Sequence, residues 1–140
     1  SGYGYDMHMN GNVICRDFDV ESGLALNSES ELKLENGFAA FTKDFFDNGA
    51  YVIENNQTHE VSLRDPEGKN YLNVYFPEAP LFGLWSAEKK NAPYAAIEPW
   101  FGRCDKEDFN GSLEEREWGH ALAQGACFQA AYTIEIAGED

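Results

Sequence analysis

At 140 residues, with 43% hydrophobic and 14% aromatic content, the chain carries one domain's worth of sequence and enough apolar mass for a packed core, which excludes intrinsic disorder. A formal net charge of −15 repels phosphate backbones and anionic lipid, so nucleic acid and membrane surfaces are excluded as partners, and neutral or cationic ligands remain. No apolar run approaches the ~20 residues that span a bilayer, and no signal peptide is visible.

Residues 1–12 are rich in Gly, Tyr, Met and Asn and enter strand-like sequence with no turn or cap ahead of it, as a chain that starts in the middle of something would. From about Leu32 onward, short alternating or apolar runs are separated by Gly, Asn, Asp and Pro clusters at the spacing of an all-β sandwich. The predicted strands are 51–54, 60–64, 71–76, 81–86, 94–98 and 128–136. Turns are expected at Asp47-Asn48-Gly49, Asp65-Pro66-Glu67-Gly68, Pro77-Glu78-Ala79-Pro80 and residues 88–92. In the third of these strands Leu72, Val74 and Phe76 take one face, for the core, and Tyr71, Asn73 and Tyr75 the other, polar or wet. Helix is nearly absent; Ser112 and Glu115 stand at capping-box spacing and predict a single turn running toward Trp118.

The most informative stretch is Ile97-Glu98-Pro99-Trp100-Phe101-Gly102. Successive strand side chains point to opposite faces, so if Ile97 faces a core then Glu98 faces a cavity, with Ala96 on its side. Pro99 and Gly102 predict that the strand ends just beyond the carboxylate. Trp100, Phe101 and Trp85 are flat apolar walls of the kind a sugar-binding cleft needs, although Trp85 by itself reads as a core or interface aromatic.

Other chemistries lack their motifs. His8, His59 and His120 each stand alone, with no Gly-x-Ser-x-Gly elbow and no second His or Cys at ligand spacing; neither a nucleophilic triad nor a metal site is expected. Phosphate-binding glycine loops are absent. Cys15, Cys104 and Cys127 form no close pair and read as small semi-buried thiols in a reducing cytoplasm. Carboxylates beside aromatics remain: Asp47, Glu98 and Asp105. Acid or base work on a sugar needs such groups, one of them held at a tuned pKa.

The runs Leu81-Phe82-Gly83-Leu84-Trp85-Ser86 and Asn91-Ala92-Pro93-Tyr94-Ala95-Ala96-Ile97-Glu98-Pro99-Trp100-Phe101-Gly102 resemble the aldose 1-epimerase (galactose mutarotase-like) family, in its bacterial LacX-like branch. Leu32-Lys33-Leu34 before Phe45-Phe46-Asp47-Asn48, and residues 113–136, extend the resemblance over most of the chain. It implies an antiparallel β-sandwich that is the C-terminal part of a supersandwich, with residues 1–140 a single partial domain whose N-terminal half is absent. It also implies interconversion of the α and β anomers of a free hexose, with no cofactor and no metal. By motif match the general base is Glu98, and Trp85 and Trp100 wall the sugar site. The general-acid histidine is expected upstream of Ser1. Asn48-Gly49 stands where the family often has Asn-Asp, so Asp47 is the substitute sugar-contacting carboxylate. Arg103 and Cys104 occupy positions that are usually apolar or small. The expected partners are the hexose and either the missing half or a second copy covering the open edges. The rival from another class is a non-catalytic carbohydrate-binding β-sandwich, and a blander one is a structural half-domain.

Overall fold

The computed structural model describes residues 2–138. Ten strands form two five-stranded sheets, and every strand-to-strand ladder is antiparallel. In chain order the strands are β1 (Gly4–Asp6), β2 (Val13–Phe18), β3 (Ala25–Leu32), β4 (Phe38–Ala40), β5 (Tyr51–Ile53), β6 (Glu60–Arg64), β7 (Asn70–Tyr75), β8 (Leu81–Trp85), β9 (Ala96–Trp100) and β10 (Thr133–Ile136). One sheet has the order β10-β7-β6-β1-β4 and the other β3-β2-β5-β8-β9. The core lies between them, where Tyr5, Val61 and Val74 of the first sheet meet Val13, Cys15, Ile53, Phe82 and Leu84 of the second. No helix among the described residues is long and apolar enough to cross a membrane.

Local chemistry accounts for the connections. The β6–β7 hairpin closes on Asp65, whose Oδ1 accepts from the N–H groups of Glu67 (3.0 Å) and Lys69 (2.8 Å), while Gly68 takes the left-handed conformation at φ +89°. The expected capping box forms: the Glu115 carboxylate accepts from Ser112 N–H at 2.7 Å and starts a single 3-10 turn, Leu113–Glu115.

Several expectations need correction. Three strands lie before Leu32, where the sequence shows no regular punctuation; β3 is polar along most of its length because it is an edge strand open to water. The last strand is only Thr133–Ile136, and residues 128–132 are irregular. Pro99 does not end its strand but sits inside β9, which is also an edge strand, where a missing N–H leaves no ladder bond unmade. Asn73 does take the polar outer face expected of it, but it is buried there, bonded to Ser62 and to Glu135 (2.8 Å) in the row Asp6–Ser62–Asn73–Glu135. Ile134 and Ile136 share the core-facing side with their ladder partners Val74 and Leu72, yet they are 56% and 77% exposed. Edge strand β10 thus turns an uncovered apolar side outward.

Candidate functional site

Ladder pairing places residues opposite one another on the same face, so the registers trace what surrounds Glu98. On the outer face of the second sheet one row reads Glu29, Arg16, Val52, Gly83, Glu98. Ile97 packs toward the core and Glu98 away from it, as alternation requires. Trp85 pairs with Ala96 and Trp100 follows Glu98 by two residues, so both indoles stand on the Glu98 face and flank it along the sheet. Trp100 Nε1 donates to Glu98 Oε2 at 3.2 Å. Glu98 Oε1 meets no hydrogen-bond donor among the described residues. The carboxylate is half-buried, held on one side and open on the other.

Gly83 makes this arrangement possible. A Cβ at this residue would lie 2.7 Å from Trp100 Cζ2, so only glycine lets the indole lie against β8. Behind the strand, the buried Tyr5 hydroxyl donates to Ala96 C=O at 2.8 Å and ties β1 of the other sheet to β9. Burial, and secondarily the charge of Glu98, push the Tyr5 phenol well above its ordinary range, so it stays a donor.

Two solved structures share this architecture. Aligned over 98% of this chain and 45% of its own, a galactose mutarotase related enzyme from Lactobacillus acidophilus superposes with a TM-score of 0.84 at 28% identity. A galactose mutarotase-like protein from Lactobacillus casei gives 0.82 at 20% identity, over 96% of this chain and 46% of its own. The fold is galactose mutarotase-like. No family profile and no curated protein matches the chain. The chain spans less than half the length of either mutarotase-like structure.

Within this mutarotase-like fold, Glu98, Trp85 and Trp100 come together on one face and Asp47 does not join them. Asp47 instead lines a cavity of about 650 Å³ that Phe41, Phe46 and Tyr71 also line, together with the β8–β9 connection. Asp105 is away from both, accepting from Arg116 Nε at 2.7 Å. The three histidines are engaged elsewhere: His8 Nε2 with Ser62 Oγ (2.7 Å), His59 Nε2 with Asn56 Oδ1 (2.9 Å), and His120 with the Phe101 carbonyl. No group of three or more His, Cys, Asp or Glu among the described residues is arranged to hold a metal ion.

Sequence reasoning did not find the buried ion network next to this face. Glu54, only 6% exposed at its side chain, binds Arg103 and Arg16, the latter at 3.3 Å; Arg103 also binds Glu117, and Arg16 reaches Glu29 at 3.1 Å. Arg103 comes directly after Gly102, so the network fixes the chain leaving β9. The only signal for it was that Arg103 stands where the resembled family is usually apolar or small.

Proposed function

We propose that this chain is the base-bearing part of an aldose 1-epimerase-like protein that interconverts the α and β anomers of a free hexose. One observation carries the reading: in a galactose mutarotase-like fold, Glu98 has one oxygen held by the Trp100 indole N–H and the other open, with two indoles flanking it on the same face of the sheet. An open carboxylate oxygen can take the proton of the anomeric hydroxyl. The electron pair left on O1 forms the C1 carbonyl as the C1–O5 bond breaks, and a general acid delivers a proton to O5. Rotation about C1–C2 and reversal of these steps give the other anomer. Trp85 and Trp100 supply flat surfaces for the apolar face of the sugar. In this reading the acid is a histidine from outside the 140 residues, since His8, His59 and His120 all bond other groups. No cofactor enters. Asp47 remains the proposed third sugar-contacting group only if the intact protein brings the cavity and the Glu98 face to one ligand.

Polarimetry tests this. In the intact protein, Glu98→Gln lowers the rate of hexose mutarotation about 10²- to 10⁴-fold while sugar binding stays within a few-fold, because the amide keeps the shape and loses the proton acceptor. The absence of a histidine at Glu98 favours a second reading for the isolated chain, a carbohydrate-binding β-sandwich. That reading expects saturable sugar binding with mutarotation at the buffer rate. An intact protein whose catalysis is indifferent to Glu98→Gln would refute the assignment of the base.

A further inference from the structure

We propose that the cavity at the end of the sandwich is a second ligand site, separate from the Glu98 face, for a small planar-ring carboxylate that carries an N–H or O–H donor on its ring. At about 650 Å³ it falls within the size range of small-molecule sites, roughly 300–1,000 Å³. Neither Glu98, Trp85 nor Trp100 lines it. Its walls include three tyrosines from separate segments: Tyr3, Tyr71 and Tyr94. Tyr3 and Tyr71 meet edge to face at 6.2 Å and Tyr94 packs against Trp85 at 5.9 Å, yet Tyr3 and Tyr94 remain 44% and 50% exposed, so part of each ring stays open. Rings on several sides suit a planar apolar body better than a single sugar-stacking platform would.

The unspent polar groups choose the charge. Ser86 Oγ donates to the Tyr94 carbonyl at 2.8 Å, and Thr42 Oγ1 donates to Asp44 at 2.7 Å, so both hydroxyls are used. Lys43, Lys89 and Asp47 line the cavity, and none of the three makes an ion pair within 4.0 Å among the described residues. A protein of net charge −15 repels anions over most of its surface, and here two lysines and one aspartate are among the lining residues, with Asp44 held by Thr42. Lys89 takes a left-handed φ of +53° in the turn of the β8–β9 connection that lines the cavity. The two lysines would receive a carboxylate, and Asp47 would accept the donor on the ring.

Indole-3-acetate is the probe, titrated into the 140-residue chain by calorimetry, with binding located by methyl shifts of Ala92 and Leu63. One-to-one saturable binding is expected, at least tenfold weaker for the neutral indole-3-acetamide, with no saturable binding of acetate or glucose at these methyls. Lys43→Gln with Lys89→Gln weakens indole-3-acetate by about tenfold for each ammonium lost, down to the level of the amide. Lys33→Gln with Lys69→Gln, an equal change in net charge elsewhere, leaves affinity within twofold. Equal affinity for the acid and the amide, an equal loss in both double variants, or tighter binding of glucose than of the indole acid would overturn the proposal.

Discussion

Gly83→Ala tests the seating of Trp100. The added methyl would lie 2.7, 3.1 and 3.3 Å from Trp100 Cζ2, Cε2 and Cη2, all ring atoms, so the indole must move away from β8. Crowding of this kind costs about 1–3 kcal/mol. A displaced ring also gives up its 3.2 Å hydrogen bond to the Glu98 carboxylate, worth about 1.5 kcal/mol at a half-buried site. Alanine returns about 0.5–1 kcal/mol through the backbone freedom that glycine has in the unfolded chain. The expected loss is therefore about 1.5–4 kcal/mol. Urea unfolding followed by tryptophan fluorescence and far-ultraviolet circular dichroism measures it. The decisive comparison is a Trp100→Leu background, where the clash has no partner and Gly83→Ala becomes neutral or slightly stabilising. An equal loss in both backgrounds, or no loss in either, would refute the account of why glycine stands opposite Glu98.

Other perturbations test other parts of the molecule. Arg103→Met leaves Glu54 buried with Arg16 alone and costs about 3 kcal/mol, most of which Glu54→Leu in the same chain restores, both read by urea unfolding. Burial alone would raise the Asp6 carboxyl, but the Asn70 amide, the His8 N–H and the charges of His8 and Arg64 hold it below its ordinary 3.8. A carboxyl lowered on folding contributes stability above its unfolded value and loses it as pH falls through the folded one. The stability gap between the parent and Asp6→Asn is thus constant above pH 3.8 and closes below it, as thermal unfolding across that range measures. Burial pushes the Cys15 thiol up to about 12, so at pH 8 a thiol reagent modifies exposed Cys127 first and Cys15 only after unfolding, which mass spectrometry of the timed products resolves.

What the sequence disclosed depended on how local the cause was. The turn at Asp65-Pro66-Glu67-Gly68 and the cap at Ser112 were legible because each is settled within a few residues, as was the opposition of Ile97 and Glu98 on β9. β1, β2 and β3 were not, because their boundaries depend on partners far along the chain: Asp6 on Ser62, Arg16 on Val52. The placement of Trp85 and Trp100 on the Glu98 face follows from the β8–β9 register, which nothing in either run states; the sequence offered these two indoles only through the family resemblance. That Asp47 lies in the cavity, apart from Glu98, depends on how the end of the sandwich closes, and nothing local to Phe45-Phe46-Asp47 reports it. The Glu54 and Arg103 pairing, 49 positions apart, was equally out of reach.

Pro99 in the middle of β9 has a bearing on colloidal behaviour. Edge strands invite foreign strands, and a proline there deletes a backbone donor that an incoming chain would need. The edge bearing the candidate base therefore cannot serve as a regular template for sheet growth, whereas β10, at the edge of the other sheet, contains no proline and keeps all its donors. Of these two edges, lateral aggregation would begin at β10, and Pro99 leaves the β9 edge near Glu98 free for solutes rather than for neighbouring backbones.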